Sequence, residues 1–230
     1  MRPINHALCV GLTVLALPGL GGPPAPAARR TPASSPVPAM EAALARVSRY
    51  ALTLSARTSP VGAGQAAALE QATFVVVRVG ATIDEHLTVR LTVHPNGRTI
   101  SQYREAVIHG RHTCQRASPT GRYTCATAAS PPHDDLAPNF RALETTPFIR
   151  TGATVIQGRH CDGYAYVPRL PGARARATLY VERRTHLPCA VDERVTGTGP
   201  GSGLTITSHI VTTWGRFDDP RLAVPPDPAA

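Results

Sequence analysis

The sequence predicts a mainly β fold of the α+β class, built as one large antiparallel sheet of about ten strands with two short helices. Three observations carry this. Apolar and polar residues alternate with period two over most of the chain after Ser48. Clusters of Gly, Pro, Asn and Ser separate the alternating runs. Helical spacing is confined to two short stretches, one near each end of the first strand block.

The chain opens as an export signal. Arg2 precedes the apolar run Ala7 to Leu17, and small residues lead to Ala25-Pro26-Ala27-Ala28, so residues 1–28 read as a cleavable signal peptide. The run is shorter than the ~20 apolar residues a helix needs to cross ~30 Å of hydrocarbon; the alternative is an uncleaved anchor lying at the membrane interface. Cys9 sits inside the run, too early for lipidation, so a lipoprotein is not expected. Residues 29–37 read as a Pro-rich flexible linker, 38–226 as one domain large enough for a core, and 227–230 as a tail. The expected location is extracytoplasmic, either secreted or in the periplasm and cell envelope.

Within the domain, Met40, Ala43, Leu44 and Val47 fall at helical spacing and predict a helix near Pro38 to Arg46. Tyr50 to Arg57 alternates as a strand, and a turn at Pro60 to Gly64 leads to the strand Ala68 to Val79. Leu87 to His94 alternates strictly, so one face is apolar and the other wet. Asn96-Gly97 then signals a hairpin, because both residues accept positive φ, with Ile100 to Ile108 as the return strand. His112 to Arg116 and Arg122 to Ala126 form a further hairpin turned by Ser118 to Gly121. The second helix is expected over Asp134 to Glu144, where Leu136, Phe140 and Leu143 share one face and Pro138 sits in the first turn. Strands resume at Thr154 to Gly158, Tyr164 to Val167, Arg176 to Arg183, Val191 to Thr198 and Leu204 to Trp214.

A sheet of this size cannot leave its apolar face bare, and two short helices cover only part of it, which leaves room for a cavity. The alternation places Leu52, Leu54, Val89, Leu91, Leu179, Val181, Leu204 and Ile206 on the interior side, with Leu136, Phe140 and Leu143 as part of a lid.

Several stretches carry a family resemblance. They are Val155-Ile156-Gln157-Gly158-Arg159-His160-Cys161-Asp162-Gly163-Tyr164, then Ala177-Thr178-Leu179-Tyr180-Val181-Glu182-Arg183-Arg184-Thr185-His186-Leu187-Pro188, and finally Trp214-Gly215-Arg216-Phe217-Asp218-Asp219-Pro220. In this order, after an N-terminal helix, hairpins and a central helix, the chain resembles the LolA-like superfamily of bacterial lipid and lipoprotein carriers, above all its exported LppX/LprG-like branch and also RseB. The resemblance implies a half-open antiparallel β-barrel with a short helical lid over an apolar cavity. It implies an extracytoplasmic binding protein that holds a lipid, acyl-chain or lipid-modified ligand; the alternative is an RseB-like sensor of a partner protein with no transported ligand. The chain departs from that branch in lacking the acylated Cys and in keeping four cysteines after the leader.

Charge and cysteine usage add two expectations. All 24 basic residues are Arg, and loss of Arg2 with the leader leaves a formal charge of +8. Arginines around the cavity mouth would suit anionic head groups, so an anionic membrane surface is a candidate partner. Nucleic acid is not expected, since no basic run is interleaved with aromatics. Cys114, Cys125, Cys161 and Cys189 remain for an oxidising compartment, with three pairings open. Cys114 and Cys125 lie on two strands of one hairpin and are expected to pair, leaving Cys161 with Cys189.

No enzyme, cofactor or metal is expected. Gly199-Pro200-Gly201-Ser202-Gly203 fails the nucleophile-elbow pattern, because Pro200 stands where Gly is required. No Lys follows any Gly-rich loop. His109 and His112 have an H-x-x-H spacing, but on one alternating strand they would face opposite ways and could not share an ion.

Overall fold

The computed structural model describes residues 32–61, 67–80, 82–94, 98–128, 140, 143–170, 172–198 and 205–228. In chain order the elements are β1 (Pro32–Ala33), α1 (Val37–Leu44), β2 (Arg49–Val61), β3 (Ala67–Val79), β4 (Thr82–His94), β5 (Ile100–His109), β6 (His112–Arg116), β7 (Thr124–Thr127), β8 (Phe148–Ile156), β9 (Arg159–Tyr166), β10 (Ala173–Glu182), β11 (Pro188–Thr198) and β12 (Thr205–Gly215). All the strands lie in one sheet, ordered β1-β8-β9-β10-β11-β12-β2-β3-β4-β5-β6-β7. Every pairing is antiparallel.

The sheet is two meanders, β2 to β7 and β8 to β12, stitched together where β12 pairs with β2 from Thr205↔Val61 to Gly215↔Ala51. It does not close, and the result is a half-open barrel on which α1 packs as a short helix. The connection from β7 to β8 must pass from one side of the sheet to the other. Its described residues Phe140 and Leu143 pack against the apolar cluster of the inner face.

α1 begins where Pro is tolerated, in the first turn, and the Val37 N–H donates to Ser35 Oγ at 3.3 Å. Its face Val37, Met40, Ala43 and Leu44 is buried against the sheet. The Arg78 guanidinium from β3 donates to the carbonyl oxygens of Leu44 and Ala45, satisfying acceptors that a helix C-terminus leaves open.

Several strand limits differ from the sequence reading, each for a local reason. Twelve strands replace about ten; the one with no counterpart in the sequence reading is β1, whose two residues are too few to show a period. β8 starts at Phe148, not Thr154, since residues 151–155 are exposed on both faces and show no alternation. The stretch expected as a strand through Gly158 contains the turn into β9: Gln157 and Gly158 have φ of 49° and 76°, the paired positive values of a tight hairpin turn. β2 runs past Pro60, which pairs with Ile206 of β12. The β2–β3 register ends at Thr58↔Ala68, so Pro60 removes no donor from that side. Most of the expected helix Asp134–Glu144, including Leu136, and also Leu204, lie outside the described residues.

Both expected disulfides are present. Cys114–Cys125 joins directly opposed residues of β6 and β7, with Cα atoms 4.0 Å apart. Cys161–Cys189 reaches from β9 past the end of β10 to β11 over 6.6 Å between Cα atoms. A register shift at Tyr180/Val181 between β10 and β11 leaves Cys189 without a cross-strand partner, free to reach toward β9.

Beyond β12 the chain runs back as a strap. Asp218 accepts from the Ser48 and Arg49 N–H groups and the Ser48 hydroxyl, Leu222 is buried, and Arg49 donates to the Leu222 carbonyl at 3.0 Å. Further along, the strap meets β5 and β6 at His109 and His112.

Candidate functional site

The register of the sheet sorts the expected lining residues. One row of direct neighbours is Trp214–Leu52–Phe74–Leu87–Ala106. The next is Tyr164–Leu179–Val191–Thr212–Leu54–Ala72–Val89. A third is Tyr166–Ala177–Glu193–Ile210–Ala56–Glu70–Leu91. Direct neighbours share a face, and rows two residues apart do too. Leu52, Leu54, Val89, Leu91, Leu179, Val181 and Ile206 therefore all stand on the inner face.

They do not share one environment. Leu52, Leu179 and Val181 belong to a closed core with α1, Phe140, Phe148 and Trp214, and Leu179 is 0 % exposed. Phe140 rests against Trp214 at 5.7 Å between ring centroids. By contrast Leu54, Val89, Leu91, Ile206 and Ile210 are only half-buried. Ile100, at the far end of the same face, is 49 % exposed. The inner face is thus plugged toward the α1 end and apolar but incompletely covered, among the described residues, toward the other.

Two polar features sit in this face. Glu193 and Glu70 occupy one row, and burial raises the Glu193 carboxyl above its ordinary range. Burial, with the Glu193 charge adding to it, pushes the Tyr166 phenol far up as well. Trp214 Nε1 is buried with no hydrogen-bond partner among the described residues, an orphan donor beside Phe140. Carboxylates inside an apolar trough disfavour an anionic group there, whereas an uncharged acyl chain meets no such penalty.

Exposed arginines of β2, β10 and β11 stand on the opposite, outer face, whereas Arg104 of β5, directly opposite Val89, is exposed on the inner face. Arg176, Arg194 and Arg57 alternate with the buried inner residues Ala177, Val195 and Ala56. Two grooves run along that outer face. The larger, about 1310 Å³, is bordered by Ile149, Val167, Arg150, Arg176, Arg194 and Tyr180. The smaller, about 640 Å³, lies over Thr53, Thr73, Thr88 and Thr213, one threonine from each of four adjacent strands.

The histidine pair is arranged differently from the sequence expectation. His109 and His112 are not on one strand; they are direct partners across the two-residue turn Gly110-Arg111, so they face the same way. Each is already engaged: His109 with Asp84 and the Pro225 carbonyl, His112 with Asp227. His112 also lies near Cys114 and Cys125, but both sulfurs are bound in a disulfide and offer no thiolate to an ion.

No family model matches the chain. A search of curated proteins finds no match either. Solved structures similar to the chain include a DUF1329 family protein from Desulfovibrio piger, at 13% identity and a TM-score of 0.28, over 82% of this chain and 95% of that one. A LolA superfamily protein from Nitrosomonas europaea is similar at 8% identity and a TM-score of 0.24, over 81% and 93%. An S-type phycobiliprotein lyase from Guillardia theta is similar at 10% identity and a TM-score of 0.22, over 76% and 92%. The superfamily that the sequence resembles is thus among these structures, at scores that carry no argument about family or ligand.

Proposed function

We propose that this chain is an extracytoplasmic binding protein that holds an acyl chain of a lipid or lipid-modified ligand against the uncovered part of its inner face, and that it catalyses no reaction. One observation carries the reading: half-buried Leu54 and Val89 pack on an apolar cluster that meets the closed core at Phe74, and Leu91, Ile206 and Ile210 stand half-buried on the same face. Apolar side chains left accessible on the concave side of a sheet are the usual lining of a small-molecule site. The Trp214 N–H, buried without an acceptor among the described residues, would find one in an ester or amide oxygen at the plugged end. The two disulfides fit an oxidising compartment.

Titration with a fluorescent fatty acid tests this. Micromolar binding is expected, and Leu91→Arg is expected to abolish it while leaving the thermal unfolding curve in place. Absence of binding to every acyl probe would contradict the reading.

A second reading, a protein-binding module of the cell envelope, draws on β8. Beyond Ile149 its outer edge has no strand partner among the described residues, because β1 pairs only with Phe148 and Ile149. Such an edge can accept a strand from another chain. A partner that protects the β8 amides from hydrogen exchange would favour this module.

A further inference from the structure

The outer face of β10, β11, β12 and β2 carries an arrangement that folding alone does not favour. Arg176, Arg194, His209 and Arg57 are direct cross-strand neighbours, one from each of four adjacent strands. Strands lie about 4.8 Å apart, so the ladder spans about 14 Å. Like charges placed directly opposite on neighbouring strands destabilise a sheet. Elsewhere in the chain arginines are neutralised: Arg116 by Glu105, Arg150 and Arg183 by Asp162, Arg216 and Arg221 by Asp219. On this ladder Asp192 pairs with His209 at 3.0 Å. Among the described residues, none of the ion pairs involves Arg57, Arg174, Arg176 or Arg194.

The neighbouring row has a complementary chemistry. Arg174, Thr196, Thr207 and Ser59 are direct neighbours on the same four strands, and all are exposed. Guanidinium forks beside hydroxyl donors are the groups that bind phosphate oxygens. Just before β10, the connection from β9 exposes Val167 (66 %) and Leu170 (39 %) on either side of the exposed Arg169. Val167 also borders the larger outer groove together with Arg150, Arg176 and Arg194. A dissolved polyanion would have no use for exposed apolar side chains at the end of a basic ladder. A bilayer surface would use both, the arginines at the phosphates and the apolar tip at the acyl boundary.

We propose that this face docks the protein on a bilayer surface rich in anionic phospholipid, with Arg57, Arg174, Arg176 and Arg194 on the headgroup phosphates and Val167 and Leu170 at the interface. The proposal stands on the outer face and does not depend on what the inner face holds.

The test is flotation of the purified chain with vesicles of phosphatidylcholine alone or of phosphatidylcholine mixed with phosphatidylglycerol. Each arginine near an anionic surface contributes roughly a fivefold gain in partitioning. The mixed vesicles should therefore bind at least about tenfold more protein, and the difference should collapse as salt rises from about 0.1 M to about 1 M, where the Debye length shrinks to about 3 Å. Arg176→Glu with Arg194→Glu should cut binding more than about tenfold at an unchanged melting temperature. Val167→Ser with Leu170→Ser should cut it several-fold while leaving the salt dependence. Fatty-acid affinity of the Arg176→Glu, Arg194→Glu variant should equal that of the parent, so a failure here is separable from a failure of the acyl-binding reading. Equal binding to both vesicle types, or parental binding by the charge-reversed variant, would overturn the proposal. So would binding to polyphosphate or heparin without binding to vesicles, which would assign the ladder to a soluble polymer.

Discussion

His109 Nε2 lies 2.7 Å from the carbonyl oxygen of Pro225, and its Nδ1 lies 2.9 Å from Asp84 Oδ2. A carbonyl and a carboxylate can only accept, so the ring makes both bonds only as the doubly protonated imidazolium. His109 therefore fastens the C-terminal strap to β5 through its charge, with Asp84, His112 and Asp227 as the titratable groups around it. Burial opposes the charged ring, but the Asp84 and Pro225 bonds and the charges of Asp84 and Asp227 outweigh it and raise the pKa above the ordinary 6.5.

A raised folded-state pKa gives stabilisation that is complete below pH 6.5 and is lost as pH climbs through the folded value. Urea unfolding of the parent and of His109→Gln should differ most in mildly acidic buffer and converge at alkaline pH. A gap that widens with rising pH would contradict the charged ring.

Glu105 behaves oppositely. Its buried carboxylate receives Tyr103 at 2.7 Å, His86 at 2.8 Å and Arg116 at 2.5 Å. Burial alone would raise its pKa, yet these hydrogen bonds hold it at about 2, against an ordinary 4.5. That difference corresponds to roughly 3 kcal/mol, present above pH 4.5 and lost as pH falls toward 2. Glu105→Gln should cost about that much at neutral pH and little at pH near 2, as read by denaturant titration at several pH values.

The two disulfides should differ in worth. Cys161–Cys189 spans 28 residues of sequence and Cys114–Cys125 spans 11. Loop-closure entropy assigns them about 3.5 and about 3 kcal/mol. Replacing Cys161 and Cys189 with Ser should lower stability more than replacing Cys114 and Cys125, since the first pair is also fully buried at the junction of β9, β10 and β11.

Leu179 and Leu91 share a face and should respond differently to truncation. Leu179→Ala opens a cavity in a closed core and should cost about 3 kcal/mol. Leu91→Ala, at a half-buried site, should cost about 1 kcal/mol or less while weakening fatty-acid binding. Thermal melts and ligand titrations of the pair separate core from trough.

The inner face is readable from sequence because apolar residues recur with period two through β4 and β10, and in β10 one side is buried while the other is half-buried or exposed. The disulfide of the β6–β7 hairpin is readable for the same reason: a local turn sets the register. β8 is not, since residues 151–155 face solvent on both sides and leave no pattern. The His109–His112 pairing escapes a reading that treats i and i+3 as one strand, when a two-residue turn makes them opposite ends of a hairpin. The strap escapes it too, because Asp218 and Asp227 find partners more than a hundred residues away. The arginine ladder depends on β12 lying beside β2, a contact between residues 150 apart such as Thr58 and Ser208 that no local pattern announces.

Native mass spectrometry of protein purified without detergent tests the central claim most directly. The parent is expected to show a population carrying the added mass of one acyl-bearing species, which Leu91→Arg lacks. The bare polypeptide mass in the parent, unchanged after incubation with fatty acid, would contradict it.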